Sequence, residues 1–578
     1  MKVSDYIASF IESKGITHVF ELSGGMITHL LDSFHQHTKV NIVTMHHEQS
    51  AAFAADAYGR ATGLPGIALA TSGPGAINLL TGIGSCYFDS SPAIFITGQV
   101  NRHEQKGIRK IRQLGFQETD IVSMANCITK KSYKVETADE IPFIMTEAFE
   151  IATSGRPGPV LIDIPMDIQR SSLDLSMLED KGNEFFERNE DPEILTPLKS
   201  LIEDMQASKK PLILVGRGVN ASFAKKHFHD FLTITKIPVV TSLLAIDVLN
   251  YDHPQRIGFI GSYGNRWANI ALGECDLLIV LGSRLDIRQT GADVAFFGNR
   301  KIYHVDCDDN EVNNRVIGCV PIICDLKIFF SKFSNLVSGI YFENKSEWVS
   351  YINKLRDMWP DTMEVQQRNG INPNFFMHRL SKSSNKSHAY IVDVGSHQMW
   401  AAQSIEITGN QIFATSGGMG AMGFALPAAI GLTFSLNNKP VIAIIGDGSM
   451  QINIQELETI KRNKLPIKII ILNNQNLGMI RQFQDSYFNS RYHSTWWGYS
   501  APDFARIAKA YEIDSKTIID EKQIEDSLSW LWDEENLNKP LLLQVMIDPY
   551  TNTYPKIAFG RPLTEMEPIA KPIEIEST

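Results

Sequence analysis

No CxxC pair, no block of basic residues and no long uninterrupted apolar run occurs in these 578 residues. Each absence closes a route. The six cysteines, at 86, 127, 275, 307, 319 and 324, are scattered. Neither a zinc site nor a redox dithiol is therefore predicted, and reduced thiols in a cytosolic compartment are expected. Lys and Arg number 54 against 65 Asp and Glu, a formal net charge of -11. With no basic block, that balance argues against nucleic acid or an anionic membrane as partner. The opening MKVSDYIASFIESKG carries Asp5 and Glu12 and lacks the apolar core of a signal peptide, and no stretch is long and apolar enough to span a bilayer. A cytoplasmic location is expected. Low-complexity tracts and short-period repeats are missing too.

What is present is an alternation. Apolar runs at 66–71, 93–98, 159–164, 211–216, 276–282, 441–446 and 467–473 read as strands, and helix-like segments separate them. Continuous apolar strands are those buried on both faces, as in parallel sheets between helices. The fold class predicted is α/β, doubly wound. Two charged stretches, 170–196 and 341–373, read as linkers or covering segments. They divide the chain into domains of about 1–170, 190–340 and 370–550, with a tail over 551–578.

The most informative residues are Gly446-Asp447-Gly448-Ser449 and Asn473-Asn474. Their separation is that of one strand–helix–strand crossover, which places two parallel strand ends side by side. Ligands of open α/β sheets bind at such ends. One carboxylate with amide oxygens suits Mg²⁺ that keeps sites for diphosphate and water. Glycines at 446 and 448 allow close backbone approach, and Ser449 is read as starting an anion-attracting helix. Separately, Glu48 falls in the first turn of an Ala-rich helix after a strand ending near Met45, where it would complement the helix dipole. The spacing Gly418-x-Gly420-x-x-Gly423 supports a rival, a nicotinamide dinucleotide enzyme with Asp447 as its ribose acid. Pro427 inside the supposed crossover helix counts against it, and the rival leaves Asn473-Asn474 unexplained.

Gly446-Asp447-Gly448 with Asn473-Asn474 resembles the signature of thiamine diphosphate (ThDP)-dependent enzymes. HHEQSAAFAADAYGRATG (46–63) and ATSGPGAINLLTGIGSCYFDSSPAIFITGQV (70–100) resemble the pyrimidine-binding domain of acetolactate synthases. The resemblance implies three doubly wound domains: pyrimidine-binding, central FAD-binding-like and diphosphate-binding. It implies Mg²⁺ on Asp447, Asn474 and, by side chain or carbonyl, Asn476, where the family usually carries an acid. It makes Glu48 the glutamate that activates the aminopyrimidine, with Gly25, Phe116 and Gln117 also at the reacting centre. Gly420 and Met422 would bend the cofactor, and Gly446, Gly448, Ser449 and Gly478 would line it. In GSHQMWAAQ (395–403), His397 matches the diphosphate loop, while Ser396 replaces the usual Gln.

The middle of the chain resembles the FAD-binding domain of the same family. That implies a structural flavin on Arg156, Gly216, Gly218, Thr241, Ser242, Leu243, Arg284, Asp306 and Asp325. Two departures are Tyr263 for His and Ile287 for Asp. Arg288, Met479 and Phe483 are expected at the substrate, and Phe483 lies where the anabolic enzymes carry Trp. The function implied is decarboxylation of pyruvate and ligation of the hydroxyethyl unit to a second 2-keto acid or ketone. The ending YPKIAFGRPLTEMEP (554–568) suggests an alternative acceptor, a 4-keto nucleotide deoxysugar. A homodimer or homotetramer is implied, since the activating glutamate and the metal site of this family meet across subunits. A regulatory subunit stays open.

Overall fold

The protein is described by a computed structural model covering residues 1–174, 194–298, 300–365 and 369–573. Most of the predicted 170–196 linker lies outside the described residues. The chain forms three six-stranded sheets. The first runs β2-β1-β3-β4-β6-β5, with β1 His18–Leu22, β2 Asn41–Thr44, β3 Gly66–Ala70, β4 Ala93–Gln99, β5 Lys131–Lys134 and β6 Pro159–Pro165. The second runs β12-β11-β10-β7-β8-β9, with β7 Pro211–Val215, β8 Val239–Thr241, β9 Arg256–Phe259, β10 Leu277–Leu281, β11 Lys301–Asp306 and β12 Val320–Ile323. The third runs β14-β13-β15-β16-β18-β17, with β13 Ala389–Val392, β14 Ile412–Thr415, β15 Val441–Gly446, β16 Ile467–Asn473, β17 Asp514–Ile518 and β18 Leu541–Met546.

These are parallel sheets flanked by helices, the α/β class expected. Nine inner strands, β3, β4, β6, β7, β8, β10, β13, β15 and β16, bury every residue. In each sheet the order reverses at the first strand, between β1 and β3, β7 and β10, and β13 and β15. Loops diverge at such a reversal and leave a crevice beyond the carboxyl ends of the strands.

Chain contacts group into two compact units. One holds 1–189 with 416–441 and 452–467; the other holds 190–415, 442–451 and 468–578. In the first unit the helix Glu48–Thr62 buries alanines and Gly59. A Cβ at Gly431 of the helix Ala425–Ser435 would lie 2.0 Å from the Ala54 carbonyl oxygen, so only glycine permits that approach. Among the described residues no helix is long and apolar enough to cross a membrane.

Candidate active site

In the first unit, β2 ends at Thr44 and the helix begins at Glu48, capped by His47, whose Nδ1 accepts from the Gln49 N–H at 3.0 Å. Glu48 is buried. Its Oε2 accepts from Asn78 Nδ2 at 2.9 Å. Its Oε1 faces Gly75, where a Cβ would come within 3.1 Å. Gly75 belongs to the short helix Pro74–Asn78 that follows the turn after β3, beside the reversal of the sheet. Gly25 sits across that reversal in an exposed helical turn, with open space around it. Phe116 is 81% exposed. Gln117 adopts φ 66°, and a Cβ on Gly73 would meet its Cβ at 2.9 Å. The Phe116–Gln117 loop therefore packs on the turn that precedes Gly75.

The glycine loop 416–423 belongs to the same unit. Gly420 has φ 67° with open space around it, so backbone conformation, not room, demands glycine there. Asp89 anchors the loop. Its Oδ1 accepts from Gly418 N–H at 2.6 Å, and its Oδ2 accepts from Gly417 N–H at 3.0 Å and Arg60 Nη2 at 2.8 Å. Arg60 also pairs with Asp56 at 2.6 Å. Asn453 Nδ2 donates to the Gly423 carbonyl at 2.7 Å and to Gln49 Oε1 at 3.1 Å. These bonds tie the glycine loop to the start of the Glu48 helix. Met422 lies half-buried in the loop.

In the second unit, the loops after β13, β15 and β16 converge. His397 is buried, which pushes its imidazole down to about 3 and keeps it neutral. Its Nε2 accepts from the Gly446 N–H at 3.2 Å. A Cβ at Gly446 would stand 2.7 Å from that ring. Ser449 Oγ donates to the Val394 carbonyl at 3.0 Å, joining the two loops beside the sheet reversal. Nothing among the described residues bonds the buried Ser396 hydroxyl. A Cβ at Gly478 would sit 2.7 Å from that hydroxyl and from Asn474 Nδ2.

Asp447 is 3% exposed, and burial pushes its carboxyl up to about 7. Tyr499 donates its hydroxyl to Oδ2 at 3.1 Å. The Asn474 side-chain amide lies 3.0 Å from Asp447 Oδ1 and 2.8 Å from the Asn476 carbonyl oxygen; with its NH₂ turned inward it donates to both, and with its oxygen turned inward three oxygens face one another. Three facing oxygens repel one another unless a cation lies among them or the amide turns over and donates to both. Asn476 Nδ2 donates to the carbonyls of Asn474 at 2.8 Å and Pro549 at 2.9 Å. Its main-chain carbonyl faces the Asn474 amide at 2.8 Å, and its Oδ1 lies 3.4 Å from Asn474 Nδ2. Among the described residues no cluster of three His, Cys, Asp or Glu side chains is placed to hold a metal. One carboxylate and two neutral oxygens are the donors of a cation shared with another anion. The uncommitted Ser396 hydroxyl and the glycine cradle fit a diphosphate as that anion.

The predicted helix after the GDGS turn is broken. One turn, Asp447–Met450, is followed by a second helix, Glu456–Arg462. Asn453 in the gap spends its amide on Gln49 and Gly423. The argument from Pro427 also needs correction. Pro427 is the third residue of the helix Ala425–Ser435, in a first turn whose N–H groups have no intrahelical partner, so it breaks nothing. The dinucleotide rival falls for another reason. Its glycine loop follows the edge strand β14, and β13 separates β14 from β15, the strand that Asp447 follows. A dinucleotide crossover would make them neighbours.

In the middle sheet, Gly216, Gly218 and Arg284 lie in the loops after β7 and β10, beside the reversal. A Cβ at Gly216 would be 2.2 Å from the Gly282 carbonyl oxygen, so loop packing alone explains that glycine. Thr241 ends β8, with Ser242 and Leu243 following. Asp306 ends β11, and Asp325 caps the helix Leu326–Leu336 by accepting from Lys327 N–H at 2.8 Å. Arg284 Nε lies 3.3 Å from Asp286 Oδ2, and Arg288 is exposed. Arg156 belongs to the first unit, where its Nε donates to Ser90 Oγ at 2.9 Å. On the helix Gly478–Tyr487, Met479 packs against the core of the third sheet. Phe483 is 45% exposed and its ring lies 4.7 Å from that of Tyr487.

Residues 1–124 match the N-terminal TPP binding domain of thiamine pyrophosphate enzymes, 198–333 the central domain and 393–545 the C-terminal TPP binding domain. The chain is 37% identical over 569 residues to the acetolactate synthase isozyme 2 large subunit of Escherichia coli (strain K12), across 98% of this chain and 99% of that one. It is 35% identical to a probable acetolactate synthase large subunit of Methanocaldococcus jannaschii, across 100% and 96%. It is 34% identical to the acetolactate synthase large subunit of Lactococcus lactis, across 97% and 95%.

Proposed function

The chain belongs to the thiamine pyrophosphate enzymes, within the acetolactate synthase large-subunit family, and on that footing we propose that it decarboxylates pyruvate and joins the two-carbon unit to a second 2-keto acid. The observation that carries this is the convergence of the Asp447 carboxylate, the Asn474 side-chain amide and the Asn476 carbonyl beside the unbonded Ser396 hydroxyl, beyond β13, β15 and β16. It fits Mg²⁺ and a diphosphate together. Thiamine diphosphate supplies the electron sink for the carbon that loses CO₂.

The chain's own groups do the rest. Glu48, held by Asn78, is proposed to hydrogen-bond a ring nitrogen and share its proton. The Gly417–Met422 loop, fixed by Asp89, is proposed to bend the cofactor. Ser396, His397, Gly446, Gly448, Ser449 and Gly478 are proposed to line the diphosphate. Gly25, Phe116, Gln117, Arg288, Met479 and Phe483 are proposed to face substrate. A structural FAD on Arg156 and on the middle-domain residues Gly216, Gly218, Thr241, Ser242, Leu243, Arg284, Asp306 and Asp325 rests on the resemblance, since ligation transfers no net electrons. A dimer is proposed as the minimal active form. No feature of the site favours the keto sugar as acceptor.

The test is to supply purified protein with pyruvate, ThDP and Mg²⁺ and identify the product. Acetolactate formed only when both cofactors are present is expected. Asp447→Ala should abolish it together with Mg²⁺-dependent ThDP binding. Pyruvate left unconsumed by the wild type would overturn the reading.

A further inference from the structure

The two oxygens of Asp447 have separate jobs. Oδ1 faces the Asn474 side-chain amide at 3.0 Å, while Oδ2 accepts from the Tyr499 hydroxyl at 3.1 Å. Tyr499 is tied in turn. Gln451 Nε2 donates to its Oη at 3.4 Å and to the Asp447 main-chain carbonyl at 3.3 Å. A phenol has one proton to give. With Gln451 occupying it as an acceptor, that proton goes to Asp447. The result is a closed ring from Asp447 through Tyr499 to Gln451 and back to the Asp447 backbone.

We propose that Tyr499 is a positioning residue of the cation site, which turns the Asp447 carboxylate so that Oδ1 alone is presented to the metal. The inference rests on the reading of Asp447 as a Mg²⁺ ligand. A carboxylate buried without such a partner can rotate about its Cβ–Cγ bond and offer either oxygen, and a single-carboxylate site has no second acid to compensate. Partners of this kind behind a metal ligand govern affinity by about 10–100-fold. Tyr499 follows Gly498, which takes φ 78°, and lies downstream of the helix that bears Met479 and Phe483. The ring therefore also ties the substrate-side segment of this unit to the cation ligand.

Tyr499→Phe deletes the hydroxyl and keeps the ring. The measurement is the Mg²⁺ concentration that half-saturates ThDP binding, followed by calorimetry, with the melting temperature of the metal-free protein beside it. The expected result is a half-saturating concentration raised about 10–100-fold, an unchanged metal-free melting temperature, and turnover recovered at high Mg²⁺. An unchanged half-saturating concentration, with or without a lower melting temperature, would overturn the proposal. Asp447→Ala separates the two readings. If it abolishes Mg²⁺ dependence while Tyr499→Phe does nothing, only the tyrosine inference fails. If it leaves Mg²⁺ dependence intact, both fail.

Discussion

Asp89 offers the sharpest test of how the glycine loop is held. Its carboxylate is 1% exposed and accepts three N–H groups: Gly418 on Oδ1, and Gly417 and Arg60 on Oδ2. Asparagine converts one acceptor oxygen into a donor. Turned toward Gly418, the new NH₂ opposes one N–H; turned the other way, it opposes two. Even the better orientation strands one buried donor, which costs about 1–3 kcal/mol. Asp89→Ala removes every acceptor and takes one carboxylate partner from the nearly buried Arg60, which costs about 3–5 kcal/mol. The expected order of thermal stability is wild type, then Asn, then Ala. Weaker ThDP binding should accompany the loss, because the Gly417–Met422 loop is released. Comparison of unfolding midpoints and calorimetric ThDP affinities decides it. An alanine variant that melts with the wild type, or above the asparagine variant, would refute the reasoning.

Glu48→Gln preserves shape but cannot exchange a proton at the ring nitrogen, so turnover should fall by about 10²–10⁴ while calorimetry still shows ThDP and Mg²⁺ binding; wild-type turnover would remove Glu48 as activator. His378 lies 3.0 Å from Asp361 and 2.8 Å from Glu406; burial opposes its charge, but the two carboxylates outweigh that and raise it to about 9, from 6.5. A raised value means stability present below pH about 6.5 and lost as pH rises through about 9, roughly 3 kcal/mol in all; a histidine-resolved NMR titration with a midpoint near 6.5 would contradict it. Phe483 is smaller than the family's Trp, so weak preference for 2-ketobutyrate over pyruvate is expected in a competition assay, and Phe483→Trp should shift selectivity by about 10–200-fold. A strong wild-type preference for 2-ketobutyrate would show that Phe483 does not set the acceptor wall.

The sequence made the inner strands legible because burial on both faces leaves an unbroken apolar run. Edge strands such as β5 (KSYK) and β17 (DSKTI) carry polar residues on a solvated side and give no such signal. The convergence of Asp447, Asn474 and Asn476 was readable because these residues sit in short polar motifs at strand ends. Asp89, Asn78, Asn453 and Tyr499 escaped notice. Each acts through a partner 30 or more residues away, and nothing in its neighbours announces that partner. Pro427 misled because a proline's effect depends on its position in the turn, which the sequence leaves undefined.

The lone carboxylate of the proposed cation site has a thermodynamic corollary. A divalent ion held by one acid and two neutral oxygens keeps excess positive charge, and a diphosphate placed beside it without the ion would face Asp447 uncompensated. Each partner therefore raises the other's affinity, and by reciprocity the factor is the same in both directions. Neither dissociation constant is a fixed property of the protein. Scarcity of the metal would register as scarcity of the vitamin cofactor, and an abundance of either would mask a deficit of its companion.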